Sequence, residues 1–338
     1  KPLVAASPLL TNPTAFAGGV SVDAIDDTVK NLGLAMRVGR DLYPVRSTAY
    51  KSILDRAKIS GSVLPKLKRE TLADVLNTCF AEQKSNALVL IREEKVSAVH
   101  SGDERDYSVL PIAQLLSLLQ KKLDARFPGN QFETGYSDHA VTGASWTMPD
   151  QKEDLIGSYT DLLKAQGRLR MAEKLIPGIR FLTSDTGVAS AKVSAMLFGS
   201  DMPILIGGCV EVDHRHQRTV SDFDTALDQL FVRFGDTVKK LQELTEVHLD
   251  YPVNAMSRVC KKLSLPKKEA LEAIRMFETT NGDQPATAHD VFVAMQEIVF
   301  TLHSKKTPQS KLLTLQENLS RAMYLDWVAY DLAKVVTY

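Results

Sequence analysis

The pattern of apolar and polar positions changes once along the chain, near Thr219, from short alternating runs to long stretches of helical period. Before that point the pattern is mixed. Ser47 to about Lys58 and Glu70 to Gln83 read as amphipathic helices, the second with Leu72, Val75, Leu76, Cys79 and Phe80 along one face. Ala87–Arg92 and Lys95–His100 read as strands joined by Glu93-Glu94, a hairpin by length whose turn lacks glycine. A helix opens at Pro111 and runs through Leu123. Phe132–Tyr136 and Ala140–Met148 make a second hairpin over Ser137-Asp138-His139, and Gln151 to Gln166 is again helical.

The stretch from Ile179 to Arg218 reads as strands punctuated by turns. Ser184-Asp185-Thr186-Gly187 permits a tight reversal, Lys192–Leu197 alternates as a half-buried strand does, and Met202–Val212 is continuous enough to be buried on both faces. Beyond Thr219 the spacing of Phe223, Leu227, Leu230, Phe234, Val238 and Leu241 predicts one long helix from Ser221 through Val247. Pro252 and Pro266 separate two shorter helices, Pro285 opens another to His303, and Thr307-Pro308 starts one to about Leu325.

The expected class is α+β: one antiparallel sheet holding 87–92, 95–100, 140–148 and 202–212, with helices packed on it, followed by a C-terminal helical bundle. Three segments follow. Residues 1–19, with three prolines and two adjacent glycines, form an extended N-terminal arm. Residues 20–218 form an α+β domain whose first helix runs from Ser21 to Leu32, and residues 219–338 form a helical domain. The arm's Leu3, Val4, Leu9, Leu10 and Phe16 would suit a strap to a neighbouring subunit, although a disordered terminus has the same composition.

Composition narrows the partners. With 41 basic and 41 acidic residues the net charge is zero, so an anionic partner must be held by a local patch. Three separated cysteines fit reduced thiols, and no apolar run is long enough to span a membrane, so a soluble cytoplasmic protein is expected. Basic residues do cluster: Lys66, Lys68 and Arg69; then Arg258, Lys261, Lys262, Lys267 and Lys268 around Pro266, partly offset by Glu269 and Glu272; then Lys305, Lys306 and Lys311. Solvated helix faces account for such groups. If they converge with Tyr43, Tyr50 or Tyr107 they would suit a nucleic-acid backbone, with the rings available for stacking.

Signatures of chemistry are few. There is no phosphate loop, no dinucleotide fingerprint and no His-Glu-x-x-His, so no catalytic residue is expected. Gly207-Gly208 marks a bulge or close packing more readily than a ligand cradle. Within Asp213-His214-Arg215-His216, alternation along a strand would turn His214 and His216 to one side, where they would hold a divalent metal if His100, His139 or Asp185 supplied a third ligand. The solvated end of a strand explains the same residues. No other cofactor is expected. Thr287 and Asp290 frame His289 as a helix cap, which competes with an acid–base reading of His289-Asp290.

The run from Tyr50 through Leu67, with Ala87–Arg92, Lys95–Ser101, Tyr107-Ser-Val-Leu-Pro111 and Ser184-Asp185-Thr186-Gly187, resembles an uncharacterised family carried on phages, plasmids and integrated elements. The likeness covers roughly residues 49–216, and Ser101–Tyr107 is longer than the family's compact turn. It implies a mobile-element setting and transfers no catalytic residue. Two functions are therefore carried forward. One is a non-catalytic, self-assembling protein that binds single-stranded nucleic acid, for binding or annealing. The other is a metal-dependent enzyme built on His214 and His216. A structural assembly protein using the arm would share the homo-oligomer with the first.

Overall fold

The computed structural model describes residues 2–5, 33–101, 107–138, 140–199 and 202–335. The predicted helix from Ser21 to Leu32, most of the predicted arm, His139 and the end of the C-terminal tail lie outside the described residues. The class is α+β, with antiparallel sheets, helices packed on them, and helices through the C-terminal part.

A first core is built near the N-terminus. Strand β1 (Leu3–Ala5) pairs antiparallel with β2 (Leu34–Val38), which turns at Gly39 into β3 (Asp41–Pro44). Helices α1 (Ala49–Ala57) and α2 (Arg69–Ala81) pack beneath, and the hairpin of β4 (Ala87–Arg92) and β5 (Lys95–Ser101) closes the unit. Leu3, Leu34, Ile53, Leu72, Leu76, Val96 and Val99 are buried together. Leu3 and Val4 are thus not part of a free arm. The Asn77 side chain receives the Leu3 amide at 2.8 Å and donates to the Leu3 carbonyl at 2.7 Å, so an amide side chain completes the edge strand's hydrogen bonding.

The second core begins at Leu110. Helix α3 (Ile112–Arg126) leads to β6 (Gln131–Ser137) and β7 (Thr142–Thr147). Helices α4 (Lys152–Ala165) and α5 (Leu169–Lys174) precede β8 (Ile176–Thr183), β9 (Ala191–Phe198) and β10 (Ile204–Val212). The five strands form a meander in the order β10-β9-β8-β7-β6, every pair antiparallel. The hairpin β4–β5 is a separate two-stranded sheet, so the expectation of one sheet holding all four predicted strands is not met. Alternation marks which side chains turn inward, and says nothing about which sheet a hairpin joins.

Past Thr219 the predicted single helix is two, α6 (Val220–Leu227) and α7 (Leu230–Glu243). Thr219 caps α6 through a reciprocal bond with Asp222. A two-residue strand β11 (His248–Leu249) follows, then α8 (Pro252–Lys262) and α9 (Lys267–Asn281). Strand β12 (Ala286–Thr287) pairs with β11, a short ladder in a region predicted to be wholly helical. The last predicted helices resolve into α10 (Ala288–Met295), α11 (Glu297–Ser304) and α12 (Gln309–Ser320). One hydrophobic cluster runs from Leu110 to Trp327, taking in Phe181 and Val193 of the sheet with Phe223, Phe234 and Phe292 of the helices. The change of period near Thr219 therefore separates kinds of element within a shared core. On the opposite face of the sheet, Leu182 packs with Val141 and Leu313, and the buried Arg180 guanidinium donates to the Gln316 side chain of α12. Among the described residues no helix is long and apolar enough to cross a membrane.

Candidate functional site

The turn after β8 is organised by one hydroxyl. Ser184 Oγ receives the amides of Thr186 and Val188 at 3.2 Å each and donates to the Ala140 carbonyl, and Gly187 sits at φ +73°. Those amides are committed inside the turn. A phosphate would find them already bonded.

This turn meets the N-terminal unit in a polar joint. The Asp185 carbonyl accepts from the Tyr107 hydroxyl at 2.8 Å and from His100 Nε2 at 3.2 Å, while its carboxylate pairs with Arg92. His100 and Tyr107 stack with ring centroids 3.6 Å apart, and Tyr107 stacks on His214 at 5.5 Å. His214 Nδ1 lies 3.2 Å from the Ser108 carbonyl, which only accepts, so Nδ1 carries the proton and Nε2 accepts from Thr183 Oγ1 at 3.3 Å. Burial lowers the pKa of both imidazoles, and burial raises that of the Tyr107 phenol, assisted by Asp185 and opposed by Arg92. Burial thus favours the neutral form of both histidines. The column fastens hairpin β4–β5 to the large sheet and presents no activated nucleophile.

The two predicted metal ligands part company. β10 ends at Val212, so His214 and His216 follow the strand rather than lie on it. His214 is buried with both ring nitrogens bonded, whereas His216 is exposed with φ +60°. Alternation along a strand, the ground for aiming both imidazoles at one ion, does not operate there. Two of the distant partners named from sequence, His100 and Asp185, do gather near His214, as members of the joint. Among the described residues no group of three His, Cys, Asp or Glu side chains could hold a metal ion. His289-Asp290 is a helix cap: Thr287 and Asp290 form a capping box. His289 itself is buried between the Tyr159 hydroxyl and Arg168, each 2.7 Å away.

The basic groups are dispersed over both cores. Lys66, Lys68 and Arg69 are exposed where a 3-10 turn leads into α2, on the first core. Arg258 is half-buried and donates to the Lys334 carbonyl at 2.6 Å, so it anchors the C-terminal segment. Lys261 and Lys262 close α8, and Lys267 and Lys268 open α9; all four are exposed. The turn between them is fixed: Ser264 adopts φ +52°, and the amide of the buried Leu265 returns to the Cys260 carbonyl at 3.1 Å, a Schellman closure. Lys305 joins this end of the molecule by pairing with Glu269 at 2.9 Å and Glu272 at 3.9 Å. Tyr43, Tyr50 and Tyr107 belong to the N-terminal unit and the joint, away from this turn.

Comparison of the chain with protein-family models, with curated proteins and with solved structures finds no match. Two features had no clear signal in the sequence. Arg92 and Tyr107 reach Asp185 only through the fold. The groove against Gly208, lined by Arg233, Lys239 and Tyr324, draws on residues 25 or more positions from the glycine pair.

Proposed function

We propose that the chain is a non-catalytic protein that binds single-stranded nucleic acid, with the turn between α8 and α9 as its phosphate contact, and that it does so as a homo-oligomer. The observation that carries this is the placement of Lys261, Lys262, Lys267 and Lys268. All four are exposed, and none forms an ion pair with a described residue. Lys261 and Lys262 lie at a helix C-terminus, where the dipole favours cations. Lys267 and Lys268 lie in a first turn, where the dipole disfavours them, by roughly 0.3–1 kcal/mol each at an exposed site. Helix stability gives that second pair no reason beyond the attraction of Lys268 to Glu269 beside it. An anion shared by both helix ends gives one. Repetition of one such patch in an assembly raises the effective concentration for each later contact, which a chain of zero net charge requires.

Each phosphate contact to a single strand contributes about −0.7 to the slope of log affinity against log salt. Replacing the four lysines by glutamine should therefore flatten the slope by about 3, read by anisotropy of a labelled oligothymidylate between 50 and 200 mM salt. Replacing Lys66, Lys68 and Arg69 in parallel tests whether the other group contributes. Sedimentation of the free protein reads the assembly. An unchanged slope in the quadruple variant removes the turn from the interface, and a monomer indifferent to DNA ends the proposal.

A further inference from the structure

β10 carries two register shifts against β9, between Leu205 and Gly207 and between Gly208 and Val210, so the strand is irregular at the glycine pair. Gly207 has φ +149°, and a Cβ there would stand 2.9 Å from both Thr237 Cγ2 and the Tyr324 hydroxyl. At Gly208 a Cβ would meet nothing within 4 Å. The irregular strand thus faces a groove of about 400 Å³, lined by Gly208, Arg233, Asp236, Lys239, Lys240 and Tyr324 among others. Tyr324 is 57% exposed, a large ring turned to solvent beside cations.

The charges in the groove are partly committed. Lys240 pairs with Glu243 at 2.5 Å, and Arg233 donates one N–H to the Cys209 carbonyl at 3.1 Å, which leaves the rest of its fork for another acceptor. Lys239 is exposed and forms no ion pair with a described residue. Three cations against Asp236 and Glu243 leave a lining of +1. That is too little to hold a bare phosphate, yet enough to orient one attached to something else. The something else is indicated by the ring. An exposed tyrosine above a strand surface flattened by glycine accepts a planar aromatic system on its face, as base-stacking platforms do.

We propose that this groove binds one nucleotide unit, its base stacked on Tyr324 and its phosphate drawn to Lys239 and Arg233. The unit is a free nucleotide or one position of a strand. Only the second source rests on the function proposed above, and the groove is separate from the lysine turn, so the two can fail separately.

The test is titration calorimetry with thymidine monophosphate and with inorganic phosphate, beside anisotropy with an oligothymidylate. Each is run on the wild type, Tyr324→Ala, Tyr324→Phe and Lys239→Gln, and repeated in the quadruple lysine variant. Tyr324→Ala should weaken the nucleotide about tenfold, the scale of one base stacked on an aromatic ring, and Tyr324→Phe should retain it. Lys239→Gln should weaken it several-fold, and inorganic phosphate should show no binding. Loss of oligothymidylate affinity in Tyr324→Ala, persisting in the quadruple lysine background, assigns the unit to a strand; loss for the mononucleotide alone assigns it to a free nucleotide. The proposal is overturned if Tyr324→Ala, with an unchanged circular dichroism spectrum, alters neither ligand, or if inorganic phosphate binds as tightly as the nucleotide.

Discussion

At the scale of single residues, the histidines report most about the interior. His289 is fully buried, and Arg168, which only donates, lies 2.7 Å from its Nδ1. Nδ1 must therefore accept, and Nε2–H donates to the Tyr159 hydroxyl oxygen. A second proton on this ring would face the guanidinium, and burial together with Arg168 lowers its pKa from 6.5 to about 4. The unfolded chain then binds the proton more readily than the folded one, so stability rises with pH. The contribution is complete above about pH 6.5 and is lost as pH falls toward 4, amounting to about 3 kcal/mol. His100 and His214, also lowered by burial, act in the same direction. Urea unfolding at pH 7 and pH 4.5 should show this loss in the wild type and a smaller one in His289→Gln, whose amide can reproduce one acceptor and one donor. An equal loss in both proteins would remove His289 as its source. The sequence offered His289 as an acid–base candidate or as a neighbour of a capping Asp290, and neither reading placed it in the core. Its burial depends on Tyr159 and Arg168, more than a hundred positions away, and no local pattern carries that distance.

At the scale of elements, the hairpin β4–β5 is closed by Glu93 and Glu94 at φ +48° and +58°. Left-handed conformation at both central positions is a type I′ turn, which Asn-Gly would favour and side chains with a Cβ resist by about 1–2 kcal/mol per residue. Glu93 has a reason to be there. Arg46, buried in the first core, donates to its carboxylate at 2.7 Å and to the Arg92 carbonyl at 3.5 Å. Glu94 is exposed and supports nothing comparable among the described residues. Glu94→Gly should consequently stabilise the protein, by up to about 1 kcal/mol after the added freedom of the unfolded chain is deducted. Glu93→Ala should destabilise it by taking one carboxylate away from a buried guanidinium. Denaturant midpoints of the two variants moving the same way would contradict this division of roles. The hairpin itself was legible from alternation and length. The break between α6 and α7 was not, because Leu227 and Leu230 keep helical spacing across Asp228 and Gln229. β1 was missed for a different reason: three residues are too few to show a period, and their partner lies some thirty positions on.

At the scale of the whole molecule, the two cores differ in how they are joined. The first is self-contained among the described residues, and its joint to the large sheet includes the polar column of His100, Tyr107 and His214 with Asp185 and Arg92. The second runs without interruption from the sheet into the C-terminal helices. The class of fold was legible because period two and period 3.6 differ in the text. Which faces share a core was not, since Phe181 and Phe223 read as separate inward residues until folding sets their rings 5.9 Å apart. The candidate site was legible to a similar degree. His214 stood out, but His216 and Gln217 both take left-handed backbone after the strand has ended, and this ends the alternation on which the metal pairing depended. A shared core has a consequence for fragments. Division at Thr219 would strip one face of the sheet, exposing Phe181, Val193 and Ile206, and would equally expose Phe223, Phe234 and Val238 of the helices. Apolar surface of that extent does not stay in water unpartnered. Residues 219–338 expressed alone should therefore lack near-ultraviolet dichroism, bind a hydrophobic dye and unfold without a cooperative transition, and residues 1–218 should aggregate. Co-expression of the two pieces should restore a cooperative transition, because their interface is the original core. A cooperatively folding 219–338 fragment would show instead that the helices need no sheet.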